Sequence, residues 1–280
     1  AGVVTLPRMS DPRITAFLND ADEYIVTEAA RAINDDLSIK DALPALGNLL
    51  KTTSFKNEAL IRRCINANLR AGTPEAFQNL LDYSKNEGSP SAMRAEAIDA
   101  LSTWAKPSVM DRVDGRYRGP IERNVAEVKS KATADLVQLL RSKQMAVRMS
   151  AVKAISKLQI AEGAPELMAL LKTDKDPAVR AQALKSLSNL EYAQMGEAIQ
   201  TAIADKDKTV RVAGIDLVAK MNIPKELMVS VLSDVINNKT TEEKQAALLT
   251  LGNLPVQYTQ KTLEDLIKKM SSKKLPPDVY

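Results

Sequence analysis

The chain has 280 residues, 45% of them hydrophobic, enough for one or two compact domains or one long repeat array. It contains no histidine and one cysteine, Cys64, which excludes Ser-His-Asp and Cys-His dyads, imidazole metal ligands, a His-held haem, an internal disulfide and a CxxC pair. Its 39 basic and 35 acidic residues leave a net charge of +4, and its aromatics are three Phe, six Tyr and one Trp, so nucleic-acid binding, which needs clustered cations and stacking rings, is not indicated.

The N-terminal AGVVTLPRMSDPR lacks the apolar core of a signal peptide, and no stretch approaches the roughly eighteen apolar residues of a membrane span. A start at Ala1 suggests a processed chain or a domain cut from a longer one, although methionine removal gives the same result. From there a pattern recurs: an anchor residue followed by small or apolar residues three, seven and ten positions later. A degenerate copy sets Thr27 before Ala30 and Leu37; Arg62 precedes Ile65, Leu69 and Gly72; Arg94 precedes Ala97, Leu101 and Trp104. Past an interruption, Arg148 precedes Ala151, Ile155 and Leu158, Arg180 precedes Ala183, Leu187 and Leu190, and Arg211 precedes Gly214, Val218 and Met221. Lys244 takes the anchor position before Ala247, Leu251 and Leu254.

These offsets mark one face of a 3.6-residue helix, so each anchor opens an amphipathic helix with a small residue at its closest contact. Second apolar helices alternate with them: ALPALGNLL from Ala42, PEAFQNLLDY from Pro74, APELMALLK from Ala164 and LMVSVLSDVI from Leu227. The polar turns TDKDP and ADKDK carry helix-start chemistry, a capping carboxylate and a first-turn proline. Anchor intervals are 35, 32, 54, 32, 31 and 33 residues, one period broken once by about 22 extra residues. Runs of alternating β-branched residues are lacking. The expectation is an all-α solenoid of about seven helix pairs over residues 1–270, with an insertion at 105–124 and a polar C-terminal tail at 271–280.

The Asp-Pro-x-Val-Arg turn leading into Arg-x-x-Ala-x-x-x-Leu, as in KDPAVRAQALKSLSNL from Lys175, resembles the HEAT repeat over nearly all of the chain. The resemblance implies stacked helix pairs forming a curved superhelix, with the Arg-anchored helices lining the concave side. A narrower likeness rests on IRRCINANLRAGTPEAFQNLLDY from Ile61 and MRAEAIDALSTWAKPSVMDRVDGRYRGPIERN from Met93. These blocks resemble the HEAT segment of large bacterial proteins that join a sugar-dehydrogenase-like β-propeller, a HEAT array and a c-type cytochrome. The propeller and CxxCH motifs are absent here, so what the likeness implies is a connecting or docking module, exported, in a protein whose catalytic parts lie elsewhere.

Several residues could do more than build the repeat. The anchors Arg62, Arg94, Arg148, Arg180 and Arg211 could form an anion-binding stripe, but a residue set by the repeat period more often serves the repeat, pairing with an acid or carbonyl in the adjoining turn. Cys64 reads as a buried small hydrophobe, since no evident base would activate it. Asn66 and Asn68 are poor helix formers inside a helix and would demand partners if buried. Either they satisfy loop carbonyls or, with Arg94, they contact a ligand in a groove. Trp104 falls at a core offset. Glu96, Asp99, Asp111 and Asp114 gather near the interruption, but acid–base chemistry needs shifted pKa values and close geometry.

The interruption, AKPSVMDRVDGRYRGPIERN, holds five basic and three acidic residues. It reads either as a docking surface carried by Arg112, Arg116, Tyr117 and Arg118 or as a loop in which Val113, Tyr117 and Ile121 fold back over an apolar seam. The functional expectation is a non-catalytic protein-interaction or spacer module without cofactor or metal, bound to a protein partner or to neighbouring domains of its own chain. Two rivals stand beside it. A HEAT-like DNA glycosylase would expose Trp104 in a basic groove, and a stand-alone adaptor would hold one peptide. The His-Glu motifs of the di-iron HEAT hydroxylases are incompatible with a chain lacking histidine.

Overall fold

The computed structural model describes residues 11–35, 37–52, 55–218 and 225–275. The expected positions Met221, the side chain of Leu37 and residues 1–10 and 276–280 at the two ends lie outside the described residues. The chain divides into two compact units, Ala1–Gly163 and Ala164–Tyr280.

All seven anchors fall on helices. In the first unit these are α1 (Glu23–Asp35), α3 (Glu58–Ala71), α5 (Ser91–Ser102) and α7 (Met145–Lys157), carrying Thr27, Arg62, Arg94 and Arg148. Between them lie α2 (Leu43–Asn48), α4 (Pro74–Lys85) and α6 (Val125–Leu139). The anchored helices stack in chain order, α1 on α3, α3 on α5 and α5 on α7. The 22-residue excess between Arg94 and Arg148 is therefore looped out of the stack, and α5 and α7 meet as consecutive repeats. The stretch from Ala42, expected as one helix, is α2 followed by a 3-10 turn at Leu49–Lys51.

The second unit repeats the scheme with α8 (Ala164–Thr173), α9 (Pro177–Asn189), α10 (Met195–Ile203), α11 (Lys208–Val218), α12 (Lys225–Asn238), α13 (Thr241–Gly252) and α14 (Val256–Ser271). The anchored α9, α11 and α13 pack in sequence. Turn chemistry sets the starts: Asp176 accepts from the Ala178 amide at 2.8 Å ahead of Pro177, and Asp207 accepts from the Thr209 amide at 2.8 Å. The small offset is a tight contact. Ala151 and Ala183 are fully buried, and a Cβ placed on Gly214 would stand 3.0 Å from the Ala202 Cβ. Apart from one isolated bridge, Met110 with Tyr117, the described residues hold no β structure.

Candidate partner surface

The anchor arginines build the repeat. Arg180 donates to the carbonyls of Asp174 and Lys175 in its own turn and forks onto Asp205 of the next turn, with Nε and Nη2 each 2.7 Å from a carboxylate oxygen. Arg211 donates to the carbonyls of Asp205 and Lys206 and forks onto Glu243. Arg180 and Arg211 are thus each held by carbonyls of their own turn and by a carboxylate of the following repeat, giving a ladder through the second unit. The Arg211 guanidinium, with a hydrogen bond from Thr240, holds the Glu243 carboxyl down at about 2 against the opposing effect of burial. In the first unit Arg62 reaches Glu96 at 3.2 Å, 34 residues on, and Arg148 donates to the Ser142 and Lys143 carbonyls.

The three groove candidates are buried. Asn66, Asn68 and Arg94 are 3%, 1% and 3% exposed, and each makes hydrogen bonds inside the fold. Asn68 donates to the Gly47 and Cys64 carbonyls at 2.9 Å and accepts from Asn79. A Cβ on Gly47 would sit 2.7 Å from the Asn68 Oδ1, so glycine makes room for that bond. Arg94 donates to the Ser84 carbonyl. Asn66 donates to Asn34 at 2.8 Å and to Asp111 at 2.9 Å. Cys64 is buried, which pushes its thiol up.

Asp111 is the residue that the sequence did not single out from its neighbours. Its side chain is fully buried and accepts from the Val113 and Asp114 amides, from Asn66 and from Arg118 Nε, and it ion-pairs with Arg70. Burial alone would raise this carboxyl, but the Val113 amide, Asn66 and the Arg70 charge together hold it below the ordinary range. Asn66 carried the available signal, as an interior helix amide in need of a partner.

Around that hub the insertion forms a short hairpin. The Asp111 amide donates to the Arg116 carbonyl at 2.8 Å and the Arg118 amide to the Val109 carbonyl at 2.7 Å. Arg118 also pairs with Asp114 and donates to the Asn34 carbonyl, while Arg116 donates to the Asp35 carbonyl at 2.8 Å. Two cations therefore close the C-terminus of α1, where the helix dipole favours positive charge. Arg112 pairs with Glu96 at 2.9 Å. Arg123 ends the segment: its amide donates to the Ala105 carbonyl, and its guanidinium donates to the Leu69 and Trp104 carbonyls at 2.7 Å. Of the four expected docking residues, Arg118 is buried beneath the hairpin, Arg112 is tied to α5, and Arg116 and Tyr117 stand 67% and 66% exposed. Beside them Val109 and Met110 are 40% and 46% exposed. Tyr117 does not fold back over the seam.

Trp104, whose exposure would have favoured the glycosylase reading, is 5% exposed and meets Phe77 edge-on with ring centroids 5.2 Å apart. Among the described residues no group of three or more acidic or cysteine side chains is placed to hold a metal, and no helix is long and apolar enough to cross a membrane.

A family model for HEAT repeats matches residues 88–188 and 164–252, together more than half of the chain. The X-ray structure of YibA from Escherichia coli is similar, with a TM-score of 0.55 and 20% identity over 97% of this chain and 89% of that one. An engineered protein is similar at a TM-score of 0.51 and 20% identity, over 99% of this chain and 77% of that one. At such identity these likenesses concern the fold alone. Curated protein sequences give no match. The ladder of arginines, the alternating helix pairs and the matched repeats have one reading: the chain belongs to the HEAT-repeat family, with an all-α solenoid fold.

Proposed function

We propose that the chain is a non-catalytic protein-docking module whose partner seats on the free ridge of the 105–124 hairpin. One observation carries this reading. Val109, Met110 and Tyr117 are apolar or aromatic side chains held out in solvent by a hairpin whose base is fixed through the buried Asp111, Arg118 and Arg70. A rigid aromatic ridge gives wide contact area with little ordering cost, and Arg116 beside it adds a forked donor. Arg112 and Arg118 act beneath the ridge, not on it. HEAT repeats suit a protein-interaction scaffold. The blocks from Ile61 and Met93 that resemble the HEAT segment of propeller–cytochrome proteins favour a neighbouring domain of a larger oxidoreductase as the partner.

A photo-crosslinking residue in place of Tyr117, with a second at Glu162 as an exposed control, tests the proposal in the full reading frame. The expected result is one discrete adduct at position 117, to a flanking domain or a single partner protein, lost when Met110→Asp and Arg116→Ala are added. Equal labelling at both positions would overturn it.

A further inference from the structure

A second feature is independent of the ridge. Where the insertion rejoins the repeats, a cleft of about 210 Å³ opens beside the starts of α4 and α6, walled by Pro74, Phe77, Trp104 and Val128, with Arg123, Lys131 and the Glu127 carboxylate also lining it. Arg123 is set apart from the other arginines of this region. Arg70, Arg112, Arg116 and Arg118 each lie within ion-pair reach of a carboxylate, whereas among the described residues the Arg123 guanidinium bonds only neutral carbonyls, those of Leu69, Arg70 and Trp104. Its guanidinium carbon lies 4.6 Å from the centre of the Trp104 ring. Gly72 makes this path possible, because a Cβ there would stand 2.5 Å from Arg123 Nη2. The result is a partly buried, permanently charged group that closes the carbonyl end of α3 and meets no carboxylate among the described residues, at a cleft whose wall is part apolar and part polar.

We infer that this cleft binds a small apolar carboxylate, its acid group on Arg123 and Lys131 and its aryl or branched alkyl group against Pro74, Phe77 and Val128. The chemistry follows from the walls and the charge together. With Nη1 on the Trp104 carbonyl and Nη2 on the Leu69 and Arg70 carbonyls, the guanidinium keeps its Nε–H and one Nη1–H, either of which can donate a single charge-assisted bond to a carboxylate oxygen. Two helix N-termini adjoin the cleft and add positive potential. Lys131 is already paired with Glu127 at 2.6 Å, so it contributes less than Arg123. A cavity of about 150 Å³ holds one benzene molecule, so this volume admits one side-chain-sized group, too little for a length of peptide. A bare inorganic anion would leave the apolar wall unused.

Trp104 is the only tryptophan in the chain and touches the cation, so its fluorescence reports on the site directly. The intact chain is titrated with benzoate, benzamide and inorganic phosphate at constant ionic strength, with calorimetry alongside. The expected result is saturable benzoate binding, at least tenfold tighter than benzamide or phosphate, lost in Arg123→Gln and weakened about threefold in Lys131→Glu. Absence of saturable benzoate binding, or an equal response to benzamide, would overturn the inference, and phosphate binding as tight as benzoate would reduce the cleft to a general anion site and overturn it equally. Should Arg123→Gln lower the melt, Lys131→Glu decides, since Lys131 is half-exposed on the surface of α6; unchanged benzoate affinity there sinks the assignment.

Discussion

At the scale of single residues, stability around the insertion turns on buried charge. Asp111 lies between the buried side chains of Arg70 and Arg118. Removing it leaves Arg70 without its carboxylate and Arg118 with Asp114 alone, and Asp111→Ala should destabilise by about 3–5 kcal/mol in chemical denaturation. Tyr117→Ala, by contrast, should move stability by less than about 0.5 kcal/mol, because it removes an exposed ring. A loss above 1 kcal/mol for Tyr117→Ala would mean that the ring is a lid after all. The same carboxylates govern acid behaviour. Both Asp111 and Glu243 have folded pKa values below their unfolded ones. Their contribution is therefore complete above the ordinary carboxylate range of about 4 and is lost as pH falls through the folded value. For Glu243 that window runs from about 4 down to about 2. Glu243→Gln should flatten the acid limb of the second unit's stability, and Asp111→Asn that of the first. An unaltered limb in Glu243→Gln would show that the Arg211 pair forms equally in the unfolded chain.

At the scale of helices, close approach decides. Ala183 is fully buried at the small offset of α9, and Ala183→Leu should cost about 1–3 kcal/mol by overpacking. An unchanged melt would mean that the position faces open space. Gly72 ends α3 at φ 66°, and its amide donates to the Asn68 carbonyl at 3.1 Å. Gly72→Ala should lose about 1–2 kcal/mol from the left-handed backbone alone, and it should shift Trp104 emission by displacing Arg123. This level of organisation was legible in the sequence, because Arg180, Ala183 and Leu187 recur with the helical period, and in the second unit Arg180 and Arg211 make the same set of bonds. The hub at Asp111 was not. Its partners, Asn66, Arg70 and Arg118, and Asn34 behind Asn66, come from α3, the hairpin and α1, and no periodicity links them. Nor could the run Arg116-Tyr117-Arg118 reveal its orientation. Neighbouring residues of an extended hairpin point to opposite sides, so one register buries Arg118 and frees Tyr117, while a shift by one residue would do the reverse.

At the scale of the molecule, the insertion is a graft that the stack does not need in order to close, since α5 packs directly on α7. Most of its anchoring points lie on the earlier repeats: Arg118 and Arg116 close the end of α1, Asp111 takes Asn66 and Arg70 of α3, and Arg123 takes the Leu69 carbonyl, while Arg112 alone reaches Glu96 on α5. Repeat arrays transmit stability between neighbours, so removing a graft should weaken the repeats it touches and spare the others. Replacing residues 107–121 by a short Gly-Ser turn removes the hub while keeping Arg123. Native-state hydrogen exchange should then show faster exchange along α1 and α3, with α9, α11 and α13 protected as before. If α5 and α7 lost protection to the same degree as α1, the hairpin would be a wedge holding consecutive repeats in register and the graft reading would fail. If no helix changed, the buried Asp111 cluster would contribute no net stability, and its place would be to orient the exposed ridge of Val109, Met110 and Tyr117 for a partner. Crosslinking yield at position 117 in Asp111→Asn separates that last case: a ridge oriented by the cluster loses its adduct when the carboxylate is neutralised, even in a chain whose melt is unchanged.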